Sequence, residues 1–364
     1  MTHRMRPRHI AGFGLLELML AMGIGLIVIA GVLVIFLAQQ QIYNSSSSQS
    51  LMQDADNAIA ATIGPVARGV GFLGCGSITS QGAPYPLSSL PTPLTLNTTY
   101  AVQGYTGTLP TSIQDNAVNV STASDWSPSL DSSITGDTAA GAEQGSDILV
   151  MIGAVPFSRP IGVENAITTS SATLTVNDST QLTNINSGGP QVVAVSDCSK
   201  SAVLGVSSVS GTTVTLQNAP SIGFNPGAQL IPLQQTMFFV GKGSGGQSGL
   251  FEGVMTIPTG KTASSATWTV TEMVPGVLAM KVLYGIGGNE AATEYVDASE
   301  VSNLGDVTTI KLAFLVEGGT GSATPPSGSW SYKMFNSLYS LSVPSDTRMR
   351  HIYYMTVNTR NATL

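Results

Sequence analysis

Gly12-Phe13-Gly14-Leu15-Leu16-Glu17 opens an apolar run that continues to Ala38 without a further charge. Wound as a helix at ~1.5 Å per residue, the stretch from Phe13 to Ala38 spans the ~30 Å hydrocarbon core of a bilayer with some tilt. The chain is therefore expected to enter a membrane at its start, with Arg4, Arg6 and Arg8 kept in the cytosol by the positive-inside tendency. Glu17 is out of place in such a run. An ionised carboxylate inside a membrane helix costs about 2.5–3.5 kcal/mol on insertion scales, so it calls for a partner. The leader arginines all precede Gly12. A cut between Gly12 and Phe13 would create a cationic amine on Phe13, one helical turn from Glu17, and that amine could serve the same chain or a neighbouring copy.

A short basic leader ending in Gly, then Phe, then Glu as the fifth residue of a long apolar helix resembles the class III signal of type IV prepilins and pseudopilins. The resemblance implies that a prepilin peptidase cuts after Gly12 on the cytoplasmic face, that the Phe13 amine is methylated, and that the apolar helix stays in the mature protein. It also implies that Glu17 pairs with the terminal amine of an adjacent subunit in a filament. Two other readings compete. Val28-Ile29-Ala30 is an acceptable end for an ordinary secretory signal peptide, and the segment could equally be a plain single-pass anchor. Neither gives Glu17 a role.

The chain as a whole is poor in charge: 14 Lys and Arg against 21 Asp and Glu in 364 residues, with abundant Gly, Ser and Thr. That composition suits a β-rich exported protein better than a cytosolic enzyme. Removal of residues 1–12 would leave 11 cations against 21 acids, a net charge of −10. So sparse a cationic surface makes nucleic acid an unsuitable direct partner. Cys75 and Cys198 both fall beyond the anchor, and in an oxidising periplasm so minimal a pair reads as a disulfide, the alternative being two buried thiols. No cofactor or metal site is expected, since His3 and His9 lie in the leader and only His351 remains.

From residue 39 the helix is expected to continue out of the membrane as a stalk. Ile42, Leu51, Met52, Ala55, Ile59 and Ile63 recur at helical spacing, Ser45–Ser48 forms a weak joint, Gly64-Pro65 breaks or kinks the helix, and the glycines from Gly69 onward end it. The division expected is a leader (1–12), a transmembrane half (13–38), a soluble half of the helix (39–69) and a head (70–364). Residues 77–145 read as long loops with a few short strands, one pinned by Trp126. Strands follow at Ser146–Ile152 and Gln191–Val195, in a hairpin of Ala202–Val209 and Thr212–Leu216 around Ser210-Gly211, and in a second of Met237–Val240 and Gly249–Met255. In the last third, Leu278, Met280, Val282 and Tyr284 alternate with Ala279, Lys281 and Leu283, and Ile310, Leu312, Phe314 and Val316 with Thr309, Lys311 and Ala313. Arg350–Asn358 closes the pattern. The fold class is α+β: a long N-terminal helix followed by an antiparallel β-sheet head.

Catalytic chemistry finds no support. His351 sits within the closing β-run, where a satisfied strand histidine is the simpler reading. The glycines at 241–249 with Lys242 lie between two strands and read as a hairpin rather than a phosphate loop. Glu290, Glu294, Asp297, Glu300 and Asp306 lack the spacing of a calcium loop and read as a solvated face.

Gly71-Phe72-Leu73-Gly74-Cys75, Ser146–Val150, Ser196-Asp197-Cys198, Val274-Pro275-Gly276-Val277 running into Tyr284-Gly285, and Arg348–Asn361 resemble, in that order, landmarks of PilW-type minor pilins. Gly14 departs from the Ser or Thr usual there. The resemblance implies a non-enzymatic subunit that starts in the inner membrane, head in the periplasm, then enters a pilus fibre or tip. Implied partners are the prepilin peptidase, the major pilin, other minor pilins and a large PilY-type tip adhesin. The implied role is priming pilus assembly in support of twitching motility and adhesion. A J-type pseudopilin of type II secretion shares these features, and a membrane-tethered periplasmic adhesin or enzyme is the rival of a different class.

Overall fold

Residues 14–74, 101–108, 123–130, 134, 141–182, 192–197, 199–243, 245–256, 267–287, 291–302, 304–336, 338–343 and 345–359 are described in a computed structural model of the chain. One helix, α1 (Leu15–Gly69), runs for 55 residues, about 80 Å. It continues through two places where the sequence predicts weakness. Ser45–Ser48 is helical, and Ser48 is buried, its hydroxyl donating to the Gly319 carbonyl. A Cβ on Gly318 would stand 2.8 Å from that of Ser48, so the small serine is what lets this loop lie against the helix. Pro65 does not end the helix either. Ile63, Val66 and Ala67 are buried around it, and that packing outweighs the roughly 3 kcal/mol penalty of an interior proline.

The face α1 turns to the head comprises Ser48, Met52, Ile59, Ile63, Val66 and Ala67. Two residues assigned to that face by sequence spacing, Ile42 and Leu51, are exposed. Leu51 immediately precedes Met52, hence lies ~100° round the helix from it.

Eleven strands make the first sheet: β1 (Val102–Gly107), β2 (Trp126–Ser127), β3 (Ile148–Ala154), β4 (Ile161–Gly162), β5 (Thr173–Thr175), β6 (Val192–Ser196), β7 (Ser201–Ser210), β8 (Thr213–Leu216), β9 (Gln229–Lys242), β10 (Ser248–Thr256) and β11 (Thr267–Pro275). Their order is β2-β1-β3-β9-β6-β7-β8-β5, with β4 and β10 also on β9 and β11 on β10, all antiparallel. Both predicted hairpins form, Gly211 turning one at positive φ. The central strand β9 starts well before the predicted Met237. Pro232 hides its first half in the sequence, sitting where β9 exchanges β4 for β3 as neighbour.

The remaining strands are β12 (Val277–Ile286), β13 (Glu294–Val296), β14 (Thr309–Glu317), β15 (Trp330–Met334), β16 (Tyr339–Val343) and β17 (Arg350–Asn358). They form a sheet ordered β13-β12-β14-β17 and a separate β15–β16 hairpin. The predicted alternation is correct, but neither face meets water. Met280, Val282, Tyr284, Ile310, Leu312 and Phe314 join the core shared with α1 and the first sheet. Ala279, Leu283, Ala313 and Leu315 pack under the β15–β16 hairpin against Met334, Tyr339 and Leu341. Leu278 joins this outer set rather than Met280, because the β12–β14 register slips between Val277 and Ala279. A further core fills the lobe around β5–β8, with Leu174, Val193, Val195, Val206 and Val214 at its centre.

Candidate functional site

Among the described residues nothing covers the first half of α1. Its mean hydropathy reaches 2.9, and from Leu15 to Leu37 its large apolar side chains are exposed, Ile27 to 74%. Monomeric soluble proteins rarely leave so large an apolar surface open. Glu17 stands in the first turn of this half, where a carboxylate is favoured by the helix dipole. The chemistry available here is association, either with lipid or with helices of the same kind. Gly12 and Phe13 lie outside the described residues.

The second half of α1 is clamped to the head. Near its middle, His351 of β17 meets Asp56 through Nε2 (2.9 Å to Oδ2), while Nδ1 lies 3.3 Å from the Met52 sulfur. At its end the contact is backbone on backbone. The Gly71 amide donates to Ile152 O at 3.0 Å, Val70 bridges to Gly153, and a Cβ on Gly153 would fall 1.9 Å from the Gly69 carbonyl oxygen. Only glycine permits that approach. His351 is thus the satisfied strand histidine expected, and its partner is Asp56 of α1. Asp56 follows Met52 by four residues and precedes Ile59 by three, a spacing that places it at the edge of the packed face.

The two sheets are joined by a buried ionic knot. Lys281 of β12 is 0% exposed and Asp147, just before β3, is 1% exposed. Lys281 Nζ donates to Asp147 Oδ1 (2.8 Å) and to Gly107 O (3.0 Å), and stands over the Tyr339 ring at 4.8 Å. The Asp147 carboxylate also accepts from the amides of Gly107 (2.9 Å) and Val282 (2.8 Å). Burial pushes the Asp147 carboxyl above its ordinary range, opposed by the Lys281 charge and these donors. Beside it the Asp147 amide and the Ser146 hydroxyl both bond to Met280. Ser146 O accepts the indole N–H of Trp126 at 3.0 Å, so Trp126 does pin its strand to the core. Sequence reading treated Lys281 as an ordinary alternating residue and missed this site.

The Gly241–Gly249 stretch is a hairpin loop, closed by the Gly243 amide on Gln247 O. Among the described residues no group of three His, Cys, Asp or Glu is placed to hold a metal ion, and Asp297 instead caps its own turn by accepting from Ser299. Glu290 is outside the described residues, as are Cys75 and Cys198.

Residues 237–361 match the family model described as Type IV Pilus-assembly protein W, and residues 7–33 match the prokaryotic N-terminal methylation motif. The first match runs from the second half of β9 through β17, taking in the whole second sheet and the β15–β16 hairpin. The second takes in the Gly12-Phe13 junction, Glu17 and the uncovered apolar run as far as Leu33. No curated protein and no solved structure matches the chain.

Proposed function

We propose that this chain, a type IV pilus minor pilin of the PilW type, primes assembly of the pilus and is built into its tip, in support of twitching motility and adhesion. Pilin-family regions at both ends of the chain point to a structural component rather than an enzyme, and the apolar N-terminal helix supports membrane anchoring and association with other pilus components. The observation that carries the reading is the half-covered helix: α1 is gripped by the head from about Asn44 onward and exposed from Leu15 to Leu37, with a single acid in its first turn. Extraction from lipid into a bundle of like helices leaves the apolar surface buried, and an amine on a neighbouring Phe13 would match Glu17. Processing between Gly12 and Phe13, a periplasmic head, and contact with the prepilin peptidase, the major pilin, other minor pilins and a tip adhesin all belong to this proposal. The match over 237–361 favours pilus assembly over a J-type secretion pseudopilin.

The test is Glu17→Ala in cells that assemble pili. Membrane insertion of the variant should be intact and its incorporation into sheared pili reduced at least about tenfold, the size expected from removing an intramembrane charge pair. Normal incorporation, or a mature protein that retains its leader arginines, would sink the reading.

A Cys75–Cys198 disulfide is proposed on the same footing. Its support is that Gly74, next to Cys75, lies close to Ser196, two residues before Cys198: an added Cβ on Gly74 would be 3.2 Å from that of Ser196. Reduction, or Cys75→Ser with Cys198→Ser, is expected to lower stability by about 2–4 kcal/mol in urea unfolding. Alkylation of both cysteines in the native, unreduced protein would show that they are free thiols.

A further inference from the structure

Phe157 is 85% exposed, more than any apolar residue on the bare half of α1. Its backbone is ill suited to its side chain as well. Val155-Pro156-Phe157-Ser158 is a turn closed by the Ser158 amide, which donates to Val155 O at 3.0 Å. Proline at the second position of such a turn favours type II geometry, whose third position needs a positive φ and ordinarily takes glycine. Phe157 stands there at φ 63°. Glycine adopts that conformation freely, whereas a bulky side chain is strained in it. A ring left in solvent offsets none of that strain by packing within this chain.

The turn is held in place nonetheless. Both of its limbs end on one strand, Ala154 of β3 opposite Leu233 and Ile161 of β4 opposite Leu230 of β9. The Val155 amide donates to Pro232 O at 2.9 Å, and Gln181 grips the other limb, accepting from the Arg159 amide at 2.5 Å and donating to Arg159 O at 3.2 Å. Pro156 and Pro160 fix two more backbone dihedrals. Phe157 and the exposed Arg159 are thus displayed on a rigid support before anything binds. The turn also lies at the end of α1 remote from its bare half. Gly69 sits against Ala154, three residues before Phe157, and Leu37 is about 48 Å back along the helix. A bilayer around the bare half is out of its reach.

We propose that this turn is an anchor for a second protein, Phe157 filling an apolar pocket in it and Arg159 pairing with a carboxylate on the rim of that pocket. Aromatic residues and arginine are enriched where proteins meet, and a preformed anchor avoids the ordering cost that a loose loop would incur on binding. The membrane of another cell fits less well. Arg159 is the only Lys or Arg between Arg68 and Lys200, whereas anionic lipid is held by clusters of about four or more. A second copy of this chain is disfavoured too, since each mature copy would carry a net charge of −10.

A photo-crosslinking amino acid at Phe157 of the full chain, in cells that assemble pili, is expected to give an adduct with one other protein, mapping beside an Asp or Glu at the edge of an apolar pocket. Arg159→Glu should cut that adduct at least about tenfold, and exchange of the mapped acid for Lys in the partner should restore it. Phe157→Gly should stop the same protein from copurifying with the chain, while the thermal midpoint in detergent micelles stays equal to or above that of the wild type as the strain is relieved. An adduct with lipid, with a second copy or with the chain's own head would overturn the anchor. So would no adduct, a mapped site lacking an acid, a yield indifferent to Arg159→Glu, a loss that the charge exchange does not restore, or copurification that survives Phe157→Gly. A lower midpoint for Phe157→Gly would show that the ring serves the fold instead. The pilin reading stands or falls separately, on Glu17→Ala.

Discussion

Replacing Lys281 with methionine is expected to lower the stability of the full chain by about 3–5 kcal/mol, read as a fall in its thermal midpoint in detergent micelles. The size follows from what the substitution leaves behind. Asp147 is almost fully buried, so an unpaired carboxylate there has neither water nor a cation, and only the amides of Gly107 and Val282 remain to hold it. The loss should depend on pH. Burial already pushes the Asp147 carboxyl upward, and without Lys281 it goes higher still. An acid whose folded pKa is raised loses stability as pH rises from its unfolded value, near 4, through the folded one. The gap between wild type and Lys281→Met is therefore expected to narrow as pH falls from neutrality toward about 4, where the variant's Asp147 is protonated in both states. Adding Asp147→Asn to Lys281→Met should recover part of the loss, because it removes the charge while the amide oxygen still accepts one backbone N–H. Full recovery is not expected, since Asp147 accepts from two strands at once. A pH-independent deficit would show that lost packing of the lysine stem, rather than an orphaned charge, is responsible.

The elements that sequence reading recovered are those whose signal is local. The apolar run after Gly12 announces itself by composition, β12 and β14 by alternation, and β17 by its run of apolar and aromatic residues. Ser210-Gly211 and the glycines after Lys242 mark hairpins through turn chemistry that needs no tertiary partner. What the sequence concealed depends on contacts between distant segments. Alternation in β12 indicates two faces, but the cover over the second face comes from Trp330–Val343, some fifty residues on. The alternation places Lys281 on the second face beside Ala279 and Leu283, and only the convergence of Asp147 and Gly107 makes its burial tolerable. Propensity predicts a frayed joint at Ser45–Ser48 and a break at Pro65, and in both places burial against the head overrides it. On α1 itself the uncovered half was legible as an apolar run with one acid. Its boundary with the gripped side was not, because Leu51 and Met52 are adjacent in sequence and opposite in fate.

Gly153 carries the second large prediction, and unlike Asp56 it could have been suspected from sequence, as an isolated glycine in an apolar strand. Gly153→Val is expected to destabilise the chain by about 3 kcal/mol or more. The first atom of the new side chain would meet the Gly69 carbonyl oxygen at 1.9 Å, its carbon at 2.5 Å and the Val70 Cα at 2.8 Å. All three are backbone atoms, so no rotamer change relieves the overlap. Either β3 bends out of its ladder with β9 or the end of α1 lifts off the sheet, and the second costs less. β3 is paired on both sides, by β1 and by β9, whereas the end of the helix is joined to β3 through the Val70 bridge and the Gly71 amide on Ile152. Hydrogen exchange distinguishes the two. In the variant, protection should fall at Gly71 and in the last turn of α1 and persist at Val150 and Met237 in the middle of the sheet. If the proposed pilin role holds, force on the head reaches the rest of the fibre through α1, and a loosened helix end should also show as loss of the subunit from sheared pili, even where enough folded protein reaches the membrane. Gly69→Val would act through the same contact from the other side, its Cβ meeting the Ala154 carbonyl at 2.8 Å. That contact is less severe, so the ordering expected is a smaller loss for Gly69→Val than for Gly153→Val, and the reverse ordering would show that the strand, not the helix end, gives way.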